Sequence, residues 1–540
     1  MISRRSAWAL AVLSVLASLQ DAQALSMRLR KHHRNPKTAA RGLHRRLDPG
    51  PLDIDNLYDL YYSTFLTIGG QELEVQLDTV RVVRATSAAP SRQARFSHRN
   101  GSPELWVRAK QDFAAPVESS NTSLTIRYGI GNFEGSLTNA EVVIGDVKIP
   151  QQSFLTYKQG SINNVFQAGL DGMLGLGFDE GSHVLTAQRQ KTSDDSGRTL
   201  LSNFYVANPD EPRTMSFYMS RASDPDSEDD GVFMIGKPEA AYESVATAPA
   251  MPVHVNTHAG DFQRWSTYVD AFEVNGVNIS LPTSVVDGAP SNRLVANMDT
   301  GTSLAWVPTQ IVDAIYKDIP DAHYFADTDQ YTVPCLSSVR VAVWFGGQRI
   351  PIHPMDLTRV QSQTNSDGTR EYFCTNTFIH TSALATQSAT LDMQLGDSLL
   401  RNVIAQYDFG TAGNPSTANI RMVSTIKDEL ASWNTFLQAR AKQVGVDAPA
   451  PITELPGGST STPPQTGTTT ASDNGPTPSA PAGAPPTIPS DESTSDGTST
   501  NDNTSGDANS PTQNPDAGAY TTRMPAILLA LLSSLVVFAF

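Results

Sequence analysis

Cysteine is almost absent from this 540-residue chain: Cys335 and Cys374 are the only two. That is too few for a disulfide-rich scaffold or a multi-cysteine zinc site, and one bridge is the economical reading if the compartment is oxidising. Basic residues are outnumbered, 39 against 55 acidic ones, for a formal net charge of −16. Such a surface repels phosphates, so no nucleic-acid partner is expected. The ten histidines show no His-x-x-x-His pair with an acid, and neither a metal nor another cofactor is expected. A Gly-x-Ser-x-Gly elbow and a catalytic cysteine arrangement are also missing, which argues against serine and cysteine hydrolases.

Apolar runs are confined to the ends. Arg4 and Arg5 precede the run Ala7 to Leu19 and the small-residue pattern Ala22-Gln23-Ala24, so residues 1–24 read as a secretory signal peptide rather than a buried helix. Residues 25–46 hold Arg28, Arg30, Lys31, Arg34, Lys37, Arg41, Arg45 and Arg46, too much like charge to bury without partners. They read as a basic pro-segment with a dibasic processing site at Arg45-Arg46, or as a solvated linker. Residues 449–519, rich in Ser, Thr, Pro, Gly, Asp and Asn, offer little apolar surface against ordering entropy and read as a disordered stalk. In residues 520–540 the run Met524 to Phe540 follows small residues at Asp516, Ala517 and Gly518 and a short spacer. This pattern resembles a glycosylphosphatidylinositol-anchor signal, with a tail-embedded protein as the alternative. A spanning helix needs about 20 apolar residues and normally leaves a polar cytoplasmic end. The expected location is the outer face of the plasma membrane or a cell wall, with a lipid anchor as the membrane contact.

The middle of the chain alternates apolar and polar residues between turn dipeptides, which predicts strands. Phe65 to Ile68 and Leu73 to Leu77 flank Gly69-Gly70; Tyr268 to Val274 and Val277 to Leu281 flank Asn275-Gly276; Val341 to Phe345 and Arg349 to Ile352 flank Gly346-Gly347. Asn-Gly is the strongest short hairpin signal because both turn positions need positive φ. Helices are few, the best being Pro308 to Ile319. The fold class is all-β with two lobes, residues 47–230 and 231–430, and a helical extension over 431–448.

The two lobes repeat one motif. Asp299-Thr300-Gly301-Thr302-Ser303-Leu304-Ala305-Trp306-Val307 follows the apolar strand Leu294 to Met298, and Leu77-Asp78-Thr79 ends a similar strand in the first half. There Val80 interrupts the match, which resumes at Gly101-Ser102-Pro103-Glu104-Leu105-Trp106-Val107. Removing Val80 to Asn100 aligns the copies without a gap. The excised stretch carries Arg81, Arg84, Arg92, Arg95 and Arg99 and no acid. It is an anomalous insertion, either a gene-model artefact or a real surface loop. Two Asp-Thr-Gly turns on equivalent strands can bring two carboxylates face to face. At about 3 Å such a pair holds one proton between them, as the pepsin dyad does. The ionised member can take a proton from a water, and the protonated one can donate to the carbonyl under attack. Glycine admits backbone donors to the carboxylate, and Thr or Ser hydroxyls hold its outer oxygen.

These residues resemble the pepsin-like aspartic proteases, over approximately Tyr61 to Met422, and in particular the fungal, anchored, yapsin-like type. The resemblance implies a bilobal fold with a cleft between pseudo-twofold-related lobes and an acid endopeptidase acting on polypeptide substrates as a monomer. It names Asp78 and Asp299 as the catalytic pair, supported by Thr79, Gly101, Ser102, Thr300, Gly301 and Thr302. Ile126 to Gly131 is similar to the family's flap hairpin, which makes Tyr128 and Gly129 substrate-facing and brings Tyr128 toward Trp106. Ile130 and Asn132 depart from the usual flap pattern. Asp171 to Phe178 looks like the strand behind the first aspartate, with Leu395-Gly396-Asp397 as its counterpart, so Asp171 and Asp397 are expected to be scaffold carboxylates. Cys335 and Cys374 lie where the family commonly has a second-lobe bridge. Sequons at Asn121, Asn278 and Asn503 are expected to carry N-linked glycan in a secreted chain; Asn100 also qualifies, within the insertion. If that insertion is genuine and misplaces the first aspartate, the implied alternative is an impaired, peptide-binding surface protein.

Overall fold

The computed structural model describes residues 25–28, 30–33, 54–56, 59–79, 103–114, 117–128, 131–145, 147–161, 163–191, 193–221, 231–256, 262–365, 367–381 and 390–457. The signal peptide, most of the pro-segment, Val80 to Ser102, Gly129, Asn503, the stalk beyond 457 and the apolar tail lie outside the described residues.

All three expected hairpins form, each at a glycine-bearing turn with positive φ: 52° and 79° at Gly69 and Gly70, 49° and 80° at Asn275 and Gly276, 54° and 77° at Gly346 and Gly347. The strands gather into five sheets. In one of them Asp59–Ile68, Gln71–Asp78, Gly172–Gly175, Leu105–Val107 and Val147–Gly160 are successive neighbours. Their senses run antiparallel, parallel, antiparallel, parallel. In another, Ser266–Val269, Leu294–Met298, Met393–Leu395, Ala305–Val307 and Phe378–His380 repeat that order and those senses. The duplication is therefore one of topology as well as of motif. Buried apolar side chains fill both copies, among them Leu73, Val75 and Leu77 in the first and Leu294, Ala296 and Met298 in the second.

A six-stranded sheet joins the halves. Strands Thr214–Met219 and Gly231–Ile235, on either side of the expected boundary at 230/231, are antiparallel partners within it, and Thr214–Met219 also pairs with Val403–Asp408. The junction is thus a shared sheet rather than a linker. Trp265 seals it, fully buried against Phe178, Tyr407 and Phe409, with its indole N–H donating to the Leu176 carbonyl at 3.0 Å. The basic stretch also joins sheets: Leu25–Arg28 pairs with Gly231–Ile235, and Arg30–His33 with Asp59–Ile68. The backbone of these eight residues is not that of a solvated linker.

Three boundaries differ from expectation. Pro308 caps the helix Thr309–Tyr316 from outside it, and four described helices went unpredicted: Asn163–Gln167, His183–Lys191, Leu200–Ala207 and Asp397–Leu400. The extension helix is Glu429–Val444, begun by the Asp428 side chain accepting from the Ala431 amide and stopped by Gly445 at φ 71°. Residues 449–457, expected to open the stalk, instead fold back on this helix. Ile452 and Leu455 pack against Trp433, Phe436 and Leu437, and Asn434 exchanges two hydrogen bonds with the Ile452 backbone. Both side chains are partly buried there, each worth less than the roughly 1.5–3 kcal/mol of full burial, and they hold a short segment that composition alone marks as disordered.

Cys335 and Cys374 form a disulfide across 39 residues of sequence. The buried Arg440 of the extension helix donates to Cys374 Sγ and to the Thr358 carbonyl, tying helix to bridge. Replacing both cysteines by serine is expected to lower unfolding free energy by about 4 kcal/mol on the chain-entropy model, checked by urea denaturation.

Candidate active site

Both motif aspartates stand at the C-terminal ends of equivalent strands, Gln71–Asp78 and Leu294–Met298, and are 4% and 1% exposed. Their neighbours lock the two halves together reciprocally. The Thr79 amide donates to Thr300 Oγ1 at 3.1 Å and the Thr300 amide to Thr79 Oγ1 at 3.0 Å. The Thr79 hydroxyl then donates to the Met298 carbonyl at 2.8 Å, and the Thr300 hydroxyl to the Leu77 carbonyl at 3.2 Å. Four exchanged bonds between residues more than two hundred positions apart fix the approach of the carboxylates.

Gly301 shows how close that approach is. A Cβ on Gly301 would stand 2.5 Å from Asp78 Cγ and Oδ1, so the first carboxyl packs directly on the second motif's glycine. The same glycine donates its amide to Asp299 Oδ1 at 2.8 Å, while the Thr302 hydroxyl donates to Asp299 Oδ2 at 2.7 Å. Gly301→Ala is expected to displace the Asp78 carboxyl and abolish binding of a statine-type transition-state analogue, measured by calorimetry, with the thermal melt showing that the fold survives.

Gly101 and Ser102 lie outside the described residues, but the chain on either side is held. Consecutive amides grip both ends of the insertion: Leu176 N–H donates to the Asp78 carbonyl at 2.8 Å and Gly175 N–H to the Glu104 carbonyl at 3.2 Å. A Cβ on Gly177 would lie 3.3 Å from Pro103 Cβ and 3.8 Å from the Thr79 carbonyl oxygen. The described residues flanking this stretch, Thr79 and Pro103, therefore stand at one place beside Gly177. Past that point the register agrees with the second lobe: Trp106 opposes Met173 as Trp306 opposes Gln394.

Trp106 is fully buried against Phe133, 4.6 Å between ring centroids, and edge-on to Phe166. Phe133 belongs to the strand Gly131–Ile144, whose first residue pairs with Tyr128 in a two-residue hairpin. The backbone thus puts Tyr128 beside the tip of a hairpin whose return strand packs Phe133 on Trp106; its side chain and Gly129 lie outside the described residues. Asn121 lies on the strand Val117–Tyr128, and Asn278, partly exposed, on the sheet-edge strand Val277–Ile279.

Asp171 is a scaffold carboxylate, accepting from the Glu74 amide at 2.9 Å and pairing with Lys110. Its counterpart is Asp392 rather than Asp397. Asp392 accepts from the Val295 amide at 2.7 Å, and Glu74 and Val295 each precede their aspartate by four residues. Register makes Leu176 the first lobe's equivalent of Asp397, which is buried at the start of the helix Asp397–Leu400. The signal was present in the sequence, since Asp171 and Asp392 each stand four residues before Gly175 and Gly396.

The family model described as eukaryotic aspartyl protease matches residues 97–414, more than half of the chain. The chain belongs to the eukaryotic aspartyl protease family. It is similar to major aspartyl peptidase 1 of Cryptococcus neoformans var. grubii, 22% identical over 63% of this chain and 68% of that protein. It is also similar to vacuolar protease A of Arthroderma otae, 25% identical over 66% and 78%, and to human napsin-A, 24% identical over 72% and 83%. As a member of this pepsin-like family the chain is an aspartic peptidase, a hydrolase with a mostly β fold. The matched span begins downstream of Asp78, so the place of that residue rests on the geometry above.

Proposed function

We propose that the chain is a secreted, surface-anchored aspartic endopeptidase in which Asp78 and Asp299 activate one water between them. The observation that carries this reading is the reciprocal Thr79–Thr300 lock, which seats the Asp78 carboxyl on Gly301 beside Asp299. One carboxylate takes a proton from water while the other donates to the carbonyl oxygen of an extended polypeptide. Tyr128 and Gly129 close over the substrate from the hairpin that packs Phe133 on Trp106. The basic residues 25–46 act as a pro-segment, removed at Arg45-Arg46, and the lipid anchor and stalk hold the enzyme outside the cell; yapsin-like fungal peptidases are the type it best fits. Asn121, Asn278 and Asn503 carry glycan, and the enzyme works as a monomer.

A second reading is favoured by Val80, which stands where the other motif has glycine: a cleft that binds peptide without cutting it. Purified full-length protein incubated at acid pH with an unfolded polypeptide separates the two. Cleavage blocked by a statine-type inhibitor supports the peptidase. Inhibitor binding without cleavage, from messages that always encode residues 80–100, supports the binder.

A further inference from the structure

Among the described residues, one of the differences between the two halves of the duplicated framework is a buried side chain beside the second aspartate. Gln394 and Met173 hold equivalent positions in register, opposite Trp306 and Trp106. Gln394, 4% exposed, donates from Nε2 to Asp299 Oδ2 and to Thr302 Oγ1 at 2.6 Å. The Thr302 hydroxyl donates to the same Oδ2. With the amide reversed, its carbonyl oxygen would face the carboxylate oxygen, a repulsive contact unless that oxygen carries a proton. Met173 offers a thioether and no such donor. Described titratable groups near Asp299 include acids: Asp78 on Gly301, Asp397, whose amide donates to the Thr302 carbonyl, and Tyr407 of the strand Val403–Asp408. Burial first, then the Asp299 charge, pushes the Tyr407 hydroxyl above its ordinary range. Hydrogen bonds to an ionised carboxylate favour that form, and here they oppose the acidic surroundings.

We propose that Gln394 is a positioning residue that holds the dyad's negative charge on Asp299 and leaves the shared proton on Asp78. Its catalytic consequence rests on the peptidase reading. Asp299 takes a proton as the water oxygen bonds to the carbonyl carbon, and Asp78 gives its proton to the carbonyl oxygen, yielding a neutral gem-diol. As the C–N bond breaks, Asp299 protonates the departing nitrogen and Asp78 recovers a proton from one hydroxyl, restoring the starting state.

The test is carboxyl 13C NMR titration of the aspartate-labelled full chain, with Asp78→Asn and Asp299→Asn assigning the two resonances. Asp299 is expected to ionise at the lower pH in the wild type. In Gln394→Met, which installs the first lobe's residue, its step is expected to rise by about one pH unit, a tenfold change in proton affinity. The acid limb of kcat should move with it while KM stays within about twofold. Asp78 ionising first, or a folded Gln394→Met with unchanged steps, overturns the assignment; should that variant not fold, the wild-type order alone decides. A Gln394-dependent step in a chain that cleaves nothing keeps the assignment and removes the peptidase reading. Cleavage with steps indifferent to Gln394 does the reverse.

Discussion

Asp299→Asn is expected to lower acid cleavage of an unfolded polypeptide by at least about 10⁴-fold while leaving secretion and the thermal melt close to those of the parent. The substituted amide removes the ionisable oxygen and keeps the volume, so the Gly301 and Thr302 donors around Asp299 retain an acceptor on one side only. General acid–base catalysis alone contributes about 10²–10⁴, and here one side chain serves water activation and later proton return. Asp78→Asn should lose about as much, and the double variant little more, because groups acting as a unit are not additive. Turnover by Asp299→Asn comparable to the parent would end the dyad mechanism. The discriminating measurement is single-turnover cleavage with the inhibitor-titrated concentration of sites.

The second large effect is on stability in acid. His353 is buried beneath the helical turn Pro354–Asp356, its Nδ1 accepting from the Met355 amide at 3.1 Å. Burial and, after it, the charge of Arg221 push its imidazole down to about 3. Below its ordinary pKa near 6.5 the unfolded chain gains this proton and the folded chain does not, so this contribution to stability falls as pH drops from about 6.5 toward 3. Over that window the loss amounts to roughly 4 kcal/mol. His353→Asn keeps an acceptor for the Met355 amide and removes the titration. Urea unfolding of the variant is expected to show a flatter pH dependence across the window, and an unchanged slope would refute the buried-neutral assignment. The neighbouring Asp356 works in the same direction, at lower pH. Burial opposes its charge, but Arg221 and Arg401 outweigh that and hold its carboxyl below the usual range. Its contribution is therefore fully present above about 3.8 and is lost as pH falls below that toward the lower folded value.

Local chemistry explains what was legible in the sequence. The hairpins at Gly69-Gly70, Asn275-Gly276 and Gly346-Gly347 follow from backbone preference, and the strand Leu294–Met298 from its apolar run, so neighbours in sequence were enough. The repeat around Asp78 and Asp299 survived the insertion because Trp106 and Val107 kept their spacing to Gly101. The misses depend on distant partners. Leu25–Arg28 and Arg30–His33 are strands only because edges of two sheets are there to accept them. Residues 449–457 are ordered because Ile452 and Leu455 meet a helix face. Gln394 reads as an ordinary polar residue until the register sets it beside Asp299, and Asp392 becomes the partner of Asp171 only by counting back from Gly396.

The grip of Gly175 and Leu176 on both feet of residues 80–102 has an evolutionary consequence. Thr79 and Pro103 both stand beside Gly177, and the cost of closing a chain segment between ends that already meet grows only logarithmically with its length, about 0.6 kcal/mol for each doubling. Gain, loss or exchange of sequence at this junction is therefore nearly neutral for folding, whereas a single substitution at Thr79 or Thr300, a few ångströms away, is not. Lineages descended from this chain can vary the sequence between Thr79 and Pro103 by indels while Thr79 and Thr300 stay fixed.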